Sequence, residues 1–227
     1  GIAHEIRNPL AAIAQANALL AEDATDPSQR QLTRMVADNV DRLKRIVDDV
    51  MEVAPGQVPD DTAIDATAWV AAICSDWARS AGVKLGDQSA LRVELPPQAL
   101  GVAFDAEHLR RVLVNLLDNA HRHASGVPGS VVLRLDSRDD ARVFLSVASD
   151  GEPIAPEVER YLFEPFFSTR SRGTGLGLYI CRELCERYGA GIEYRLRADG
   201  QRKLFLVVML RDTPAVQPAA PAAPAAT

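Results

Sequence analysis

The chain has 227 residues, of which 47% are hydrophobic and 25% are charged, and its formal net charge is −6. This composition is typical of a soluble globular protein with one large domain or two modest ones. The negative charge argues against a nucleic acid partner, because binding a polyanion requires a basic surface. Residues 204–210 form the longest aliphatic run, far short of the roughly 20 residues that cross a bilayer, so we expect no membrane contact by this fragment.

The first 53 residues show the apolar periodicity of two helices, with a break at Asp26-Pro27. An antiparallel hairpin cannot bury both apolar stripes by itself, so two hairpins are expected to pair as a four-helix bundle. The sequence therefore predicts a homodimer formed through residues 1–53, with packing on the rest of the same chain as the alternative. The stripes consist of Ile6, Leu10, Ile13, Leu20, Leu32, Val36, Val40, Leu43, Val47 and Val50.

Residues 54–61 are rich in Pro and Gly and predict a linker. In residues 62–211, helical and strand patterns alternate and two hairpins are apparent, which predicts an α/β sandwich with a mixed sheet and an α+β chain. Asp105 is expected to cap a helix, and the Pro/Ala tail 212–227 is expected to be disordered. Predicted helices cover Thr67–Ser80, Ala106–Ala124 and Leu176–Tyr188, and predicted strands cover Leu91–Leu95, Ser130–Asp136, Arg142–Val147, Gly191–Arg197 and Lys203–Leu210.

The three cysteines of the chain lie in this second region, at Cys74, Cys181 and Cys185. Cys181 and Cys185 can lie one helical turn apart, but two thiols without nearby His or Cys partners make a poor metal site. We therefore expect buried thiols in a reducing cytosol.

The opening run His4-Glu5-Ile6-Arg7-Asn8-Pro9-Leu10 places three reactive groups within about one helical turn. His4 and Asn8 share a face, and Glu5 lies beside the imidazole. A carboxylate that accepts from one ring nitrogen makes the other nitrogen a better nucleophile. Pro9 removes a helix hydrogen bond, which predicts a bend next to the histidine. Taken alone, these residues also fit a solvated polar turn at the start of a helix.

The full run resembles the phospho-acceptor motif of sensor histidine kinases. The resemblance implies that His4 takes the γ-phosphoryl group of ATP and passes it to an aspartate in the receiver domain of a response regulator. It implies that Glu5 acts as the base or orients the imidazole, and that Asn8 positions the water that dephosphorylates the regulator. It also implies an upstream sensory part, a cytoplasmic location for this fragment, and a full-length protein of a kind that can be anchored in the inner membrane.

A second motif, Asn115-Leu116-Leu117-Asp118-Asn119-Ala120, lies in a predicted helix. Asn115 and Asn119 are four residues apart and share a face, and amide oxygens are ligands suited to Mg²⁺. Two asparagines on a helix are more often plain surface residues. The motif resembles the asparagine motif of the same kinases, which implies that Asn119 binds the metal ion and that Arg122 keeps a cation near the phosphates.

A phenylalanine-rich segment, residues 163–167, precedes a short loop and the run Gly173-Thr174-Gly175-Leu176-Gly177, which opens a predicted helix. Glycines and a helix N-terminus allow backbone N–H groups to approach an anion, but the spacing is neither a Walker loop nor a Rossmann fingerprint. In this order the features resemble the ATP lid and second glycine motif of histidine kinases. The resemblance implies that this run and Arg170 contact the nucleotide.

One motif departs from the family pattern. Histidine kinases carry Asp-x-Gly-x-Gly after a strand, and the Asp accepts a hydrogen bond from the adenine amino group. Here the corresponding residues are Ser149-Asp150-Gly151-Glu152-Pro153. A serine oxygen is a weaker acceptor than a carboxylate, so we expect adenine affinity to be reduced by about 1–2 kcal/mol. The alternative is a bulge at the strand end that brings Asp150 inward.

These motifs, in this order over residues 1–210, are most similar to those of the NtrB/PilS-type kinases and imply a protein-histidine kinase that uses ATP and Mg²⁺. Two other functions stay open. A signalling pseudokinase would bind nucleotide poorly because of Ser149 and act as a docking module or as a phosphatase through Asn8. An ATPase of the gyrase, chaperone and mismatch-repair type would lack the hairpin and carry a catalytic Glu where this chain has Asn115.

Overall fold

The computed structural model describes residues 2–52, 63–168, 174–196 and 203–212. The chain divides into two compact units, of which the first comprises Gly1–Gly56 and Glu164–Ile180. The second comprises Gln57–Phe163 and Cys181–Thr227. Within the described residues, no helix has both the length and the apolar character of a membrane span. The predicted linker and the predicted tail beyond Asp212 lie outside the described residues.

Two helices of the first unit form the predicted hairpin: α1 covers Ile2–Glu22 and α2 covers Pro27–Glu52. Proline suits the first position of α2, because its missing N–H has no partner there in any case. Arg30 Nε donates to the Ala24 carbonyl at 3.0 Å and closes the turn. The buried Asn17 amide donates to the Thr33 carbonyl at 2.8 Å and joins the two helices.

The strands of the second unit are numbered here in chain order. β1 covers Ala63–Asp65, β2 Leu91–Glu94, β3 Gly101–Ala103, β4 Val131–Asp136, β5 Arg142–Ser149, β6 Gly191–Leu196 and β7 Lys203–Leu210. Five of them form one sheet in the order β2-β4-β5-β7-β6, in which β2 and β4 are parallel and the other neighbours are antiparallel. The predicted mixed sheet is therefore confirmed. β1 and β3 form a separate antiparallel pair that was not predicted, because three residues are too few to show an alternation.

The longer helices of the second region also agree with the prediction to within one residue at each end. They are α3 at Ala66–Ser80, α4 at Ala106–His123 and α6 at Gly177–Arg187, and a single turn, α5, covers Pro156–Glu159. The expected cap is present: Asp105 accepts from the backbone N–H groups of Glu107 at 2.9 Å and His108 at 3.0 Å. Asp65 caps α3 in the same way.

The core of the second unit lies between one face of the sheet and its helices. Alternate residues of β5 and β7 point to this face, so Val143, Leu145, Val207 and Met209 are fully buried. α4 packs on β4 and β5 and contributes a stripe with helical spacing. The stripe consists of Leu109, Val112, Leu113, Leu116, Leu117 and Ala120.

Candidate functional site

The three predicted phosphotransfer residues lie on the first turns of α1. His4, Glu5 and Asn8 are all exposed to solvent. α1 continues through Pro9, which has no N–H to donate to the Glu5 carbonyl. The arrangement leaves the imidazole accessible to a phosphoryl donor that approaches from outside the hairpin.

An ion pair connects this turn of α1 with the second helix. Arg7 donates to Asp48 Oδ1 at 3.0 Å from Nε and at 2.7 Å from a terminal nitrogen. Both side chains are more than half exposed, so the pair adds little stability, on the order of 0.2–1 kcal/mol. It joins the His4 end of α1 to the C-terminal part of α2.

The hairpin presents two exposed apolar rows, each with a spacing of seven residues. Such a spacing is the signature of helices that pack side by side in a bundle. All six side chains are at least 40% exposed, so a single hairpin does not cover them. The rows are Ile6, Ile13 and Leu20 on α1, and Val36, Leu43 and Val50 on α2.

In the second unit, Asn115 and Asn119 lie half-buried on α4, beside its fully buried stripe. Asp118, between them, accepts a hydrogen bond from Trp77 Nε1 at 2.8 Å. Arg122 is 3.6 Å from the other carboxylate oxygen of Asp118. The motif helix is therefore fixed to α3 through Trp77. Sequence reasoning missed this contact, because residues 41 positions apart leave no local signal.

The end of β5 keeps regular pairing up to Ser149, two residues beyond the predicted end of the strand. Ser149 pairs with Val131 on one side and with Lys203 on the other, without an inserted residue. Ser149 is buried, with 1% of its surface exposed. The carboxylate of Asp150 accepts from the backbone N–H of Ser125 at 3.0 Å and from its hydroxyl. The alternative of a bulge that turns Asp150 inward is therefore not realised.

Gly151 follows at the point where the end of β5 approaches the last turn of α4. A Cβ atom on Gly151 would lie 2.2 Å from the carbonyl oxygen of His123 and 2.9 Å from its carbon. No side chain fits there unless the backbone moves. The glycine therefore allows the Ser149 end of β5 to approach the end of α4, one turn after Asn119.

The described part of the predicted ATP lid belongs to the first unit. Gly175 has a φ of +71°, and a Cβ on it would lie 2.5 Å from the carbonyl carbon of Phe166. Phe166 itself has a φ of 62°, an uncommon backbone conformation for a residue with a side chain. The N–H of Leu176 contacts Thr174 Oγ1 at 3.3 Å, and α6 begins at Gly177. The other two predicted lid residues, Arg170 and Gly173, lie outside the described residues.

Lys203 is a buried charged residue beside Ser149 to which sequence reasoning gave no role. It is only 6% exposed, which is rare for a lysine, and it is the Cα partner of Ser149. The signal was present in the sequence, because Lys203 occupies an inward position of a strand whose next inward residues are Phe205, Val207 and Met209.

The side chains of the second unit fit the phosphate and Mg²⁺ end of a magnesium nucleotide better than they fit its adenine end. Amide oxygens of Asn115 and Asn119 fit a Mg²⁺ ion that also binds phosphate oxygens and water. No cluster of three or more His, Cys, Asp or Glu side chains that could hold a metal occurs in the described part of the chain. Ser149, whose Cα partner on β7 is Lys203, stands where the histidine kinase pattern has an aspartate.

Two family models match the chain. The model described as "His Kinase A (phospho-acceptor) domain" matches residues 1–57. The model described as "Histidine kinase-, DNA gyrase B-, and HSP90-like ATPase" matches residues 104–213. The two matches contain the predicted phosphotransfer residues and the predicted nucleotide-binding residues, respectively.

Curated relatives match almost the whole chain. It is 35% identical over 205 residues to the sensor protein kinase PilS of Pseudomonas aeruginosa, covering 88% of this chain and 38% of PilS. It is 29% identical over 204 residues to the sensory histidine kinase/phosphatase NtrB of Escherichia coli O157:H7, covering 86% of this chain and 56% of NtrB. The chain thus spans about two fifths to somewhat over half of the length of these relatives.

Solved structures share the fold. The crystal structure of full-length ShkA in complex with AMPPNP matches with a TM-score of 0.67 at 24% identity, covering 94% of this chain and 46% of ShkA. The catalytic domain of the histidine kinase ThkA matches with a TM-score of 0.55 at 25% identity, covering 67% of this chain and 97% of that domain.

Proposed function

The chain belongs to the sensor histidine kinases, with a HisKA and a HATPase domain, and from this premise we propose that it phosphorylates its own His4 from ATP and passes the phosphoryl group to an aspartate of a response regulator. The observation that carries the proposal is the exposed His4-Glu5 pair at the start of α1 in a chain that also has an ATPase domain. PilS and NtrB, which the chain resembles over most of its length, are named as kinases.

In the proposed reaction, one imidazole nitrogen of His4 attacks the γ-phosphorus of ATP. An N–P bond forms, the bond from the γ-phosphorus to the bridging oxygen breaks, and ADP leaves. Glu5 accepts a hydrogen bond from the other ring N–H and stabilises the positive charge that develops on the imidazole. The receiver aspartate then takes the phosphoryl group from the nitrogen, which regenerates neutral His4.

The HATPase domain implies ATP binding, and we assign its contacts residue by residue. Asn119 would hold Mg²⁺, which neutralises charge on the phosphates, and Asn115 would contact the nucleotide beside it. Arg122, now paired with Asp118, would turn to a phosphate oxygen. Gly151 permits the close approach of β5 and α4, and the residues proposed to contact the nucleotide from the lid are Arg170, Gly173, Thr174, Gly175, Leu176 and Gly177.

The same proposal assigns roles to the predicted regions. Residues 1–53 form the dimerisation and phosphotransfer hairpin, and residues 62–211 form the catalytic ATP-binding domain. The exposed seven-residue rows support a homodimer, because a second hairpin would bury them in a four-helix bundle. The receiver domain of the response regulator would dock on the hairpin next to His4.

Ser149 favours a second candidate function. Because the residue that accepts from adenine in the family is replaced, the chain could act without phosphorylating itself, as a pseudokinase. Asn8, exposed one turn after His4, would then position a water that hydrolyses the phosphoaspartate of the regulator. NtrB is named as both a kinase and a phosphatase.

The decisive experiment is incorporation of γ-labelled phosphate from Mg-ATP into the chain and into its His4→Gln variant. We expect an acid-labile, alkali-stable label that is lost in His4→Gln. His108→Gln is the matched control: His108 lies on α4, in contact with the Tyr188 hydroxyl and outside all motifs, and should keep the label. Absence of label from any nucleoside triphosphate, together with absence of nucleotide binding, would refute the kinase and favour the pseudokinase.

A further inference from the structure

Two buried polar side chains lie next to each other at the end of β5 and the start of β7. Ser149 and Lys203 are Cα partners in an antiparallel ladder, so their side chains point to the same face with Cβ atoms about 4.5–5.5 Å apart. They are 1% and 6% exposed, respectively. Sequence alone gave Lys203 no role.

The pair lies on the face of the sheet that α4 covers. Ser149 follows Val143, Leu145 and Val147 in the inward alternation of β5, and all three are fully buried. α4 packs on β5, and the close approach of Gly151 to His123 fixes the end of β5 against the last turn of α4. Ser149 and Lys203 therefore lie side by side on this face, and a group that contacts one of them can contact the other as well.

Ser149 stands where the kinase pattern has an aspartate, and Lys203 lies beside it. The position therefore changes from a hydrogen-bond acceptor to mainly a donor. In the kinase pattern a carboxylate accepts from the 6-amino group of adenine, whereas an ammonium can only donate and a hydroxyl accepts weakly. A 6-amino group placed against Lys203 would be a buried donor facing another donor, which is costly. A 6-oxo group would instead accept a charge-assisted hydrogen bond from the ammonium.

A lysine so deeply buried has a partner in the protein as a rule, and Lys203 does take part in an interaction of its own. The ammonium carries three N–H donors, so it can donate to a base oxygen while it also takes part in an interaction within the protein. The hydroxyl of Ser149 can accept at the same time from the N1–H that a 6-oxopurine carries and adenine lacks. Both groups thus match one edge of the same base.

We propose that Ser149 and Lys203 are the base-recognition pair of this chain, and that they select a purine nucleotide with a 6-oxo group, of the inosine or guanosine class, over ATP. This specificity rests on the proposed function, since it assigns the base contact of the same nucleotide site. The chemistry at the phosphates and at His4 is unchanged by it.

The test is competition of ATP, ITP and GTP against a fluorescent nucleoside triphosphate, in the presence of Mg²⁺, on the full chain. ITP differs from ATP in its 6-oxo group and N1–H, and GTP adds a 2-amino group. We expect ITP to bind at least about tenfold more tightly than ATP, as fits one charge-assisted hydrogen bond. Labelling of His4 from γ-labelled GTP should exceed labelling from ATP at the same subsaturating concentration.

Substitutions of Ser149 and Lys203 test whether this pair causes the preference for ITP over ATP. Lys203→Met keeps the length of the side chain without the charge and should bring the ITP/ATP ratio near one. Ser149→Asp combined with Lys203→Thr should reverse the preference in favour of ATP. Arg195→Met is the matched control, because it removes an exposed cation from the neighbouring strand β6, whose Arg195 pairs with the outward-facing Leu204, and it should leave the ratio unchanged.

The outcomes separate this inference from the function on which it rests. Tighter binding of ATP than of ITP, or equal binding, overturns the base preference, and the kinase stands if ATP still labels His4. The base preference is also overturned if Lys203→Met leaves the ratio of the ITP and ATP affinities unchanged. If Lys203→Met does not fold, Ser149→Asp alone decides, because it should shift the ratio toward ATP by about tenfold. Failure of all three nucleotides to bind overturns both the inference and the kinase.

Discussion

The two parts of the molecule bury their apolar side chains to very different extents. In the hairpin, residues 2–52, the rows of seven-residue spacing are 40–65% exposed. None of the twelve largest fully buried side chains in the described structure comes from these residues. The sheet and helices of the second unit, by contrast, form a closed core within one chain. The hairpin therefore leaves apolar surface that the proposed dimer would bury, whereas the second unit closes its own core.

The largest effect that this contrast predicts is on dimer formation, when the exposed rows of the hairpin are substituted. The double substitution Ile13→Asp and Leu43→Asp places charges in both exposed rows. Burial of an aliphatic side chain contributes about 1.5–3 kcal/mol, so loss of two per protomer should raise the dimer dissociation constant by at least about a hundredfold. Sedimentation equilibrium measures the change directly.

Gln15→Asp is the control for that experiment. Gln15 is exposed on α1, about 200° round the axis from Ile13, so the same charge there should leave the dimer intact. A double variant that remains dimeric at the concentration of the unsubstituted chain would show that the rows are not the interface.

The next largest effect is expected in the second unit, where a substitution should lower the free energy of unfolding instead of weakening association. Gly151→Ala forces a Cβ atom to within 2.2 Å of the His123 carbonyl oxygen, so the end of β5 or of α4 must move. We expect a loss of about 2–3 kcal/mol in the free energy of unfolding, measured by urea titration. Gly191→Ala is the control, because a Cβ there meets nothing within 4 Å. Equal losses in both variants would contradict the close approach.

Sequence patterns predicted most of this fold because the signals were local. The break at Asp26-Pro27, the Asp105 cap and the alternation along β7 each depend on residues a few positions apart. The short β1 and β3 left no such signal. Nor did the end of β5, where the pattern stopped at Val147 and the strand continues to Ser149.

For a related reason, the sequence indicated the motif residues of the candidate site but not the contacts that surround them. A motif consists of residue types at a fixed spacing, so Asn115 and Asn119 could be proposed directly from the sequence. It does not name contacts between distant residues that are particular to this chain. Trp77 with Asp118 and Ser149 with Lys203 are 41 and 54 residues apart, and only the tertiary structure brings them together.

A third prediction tests whether the contact of Trp77 stabilises the motif helix. Trp77→Phe removes the Nε1–H donor from Asp118 and part of a ring that is only 5% exposed. The second unit should lose about 2 kcal/mol of unfolding free energy, because a hydrogen bond to a charged group contributes about 1.5–3 kcal/mol. Arg79→Gln, on the same helix, removes an exposed ion pair with Asp76 and should cost at most about 0.5 kcal/mol.

The smallest effect is a pH dependence that belongs to the second unit alone. Burial raises the pKa of the Cys74 thiol from 9.0 to about 12. Between these values the folded state keeps a proton that the unfolded state releases, so stability is full below pH 9 and falls as the pH rises toward 12. From pH 8 to 10 this thiol should cost about 1 kcal/mol, measured as the difference between the chain and Cys74→Ala.

The same thiols separate the two kinds of instability, because Cys74, Cys181 and Cys185 are all buried in the second unit and the hairpin has no cysteine. If the hairpin depends on its partner and the second unit on its own core, Ile13→Asp with Leu43→Asp should leave the rate of thiol alkylation unchanged. Gly151→Ala should raise that rate in proportion to its loss of stability, since alkylation then follows the population of the opened unit. Faster alkylation in the dissociated hairpin variant would mean that the dimer also stabilises the second unit, and the two parts would have to be treated as one cooperative structure.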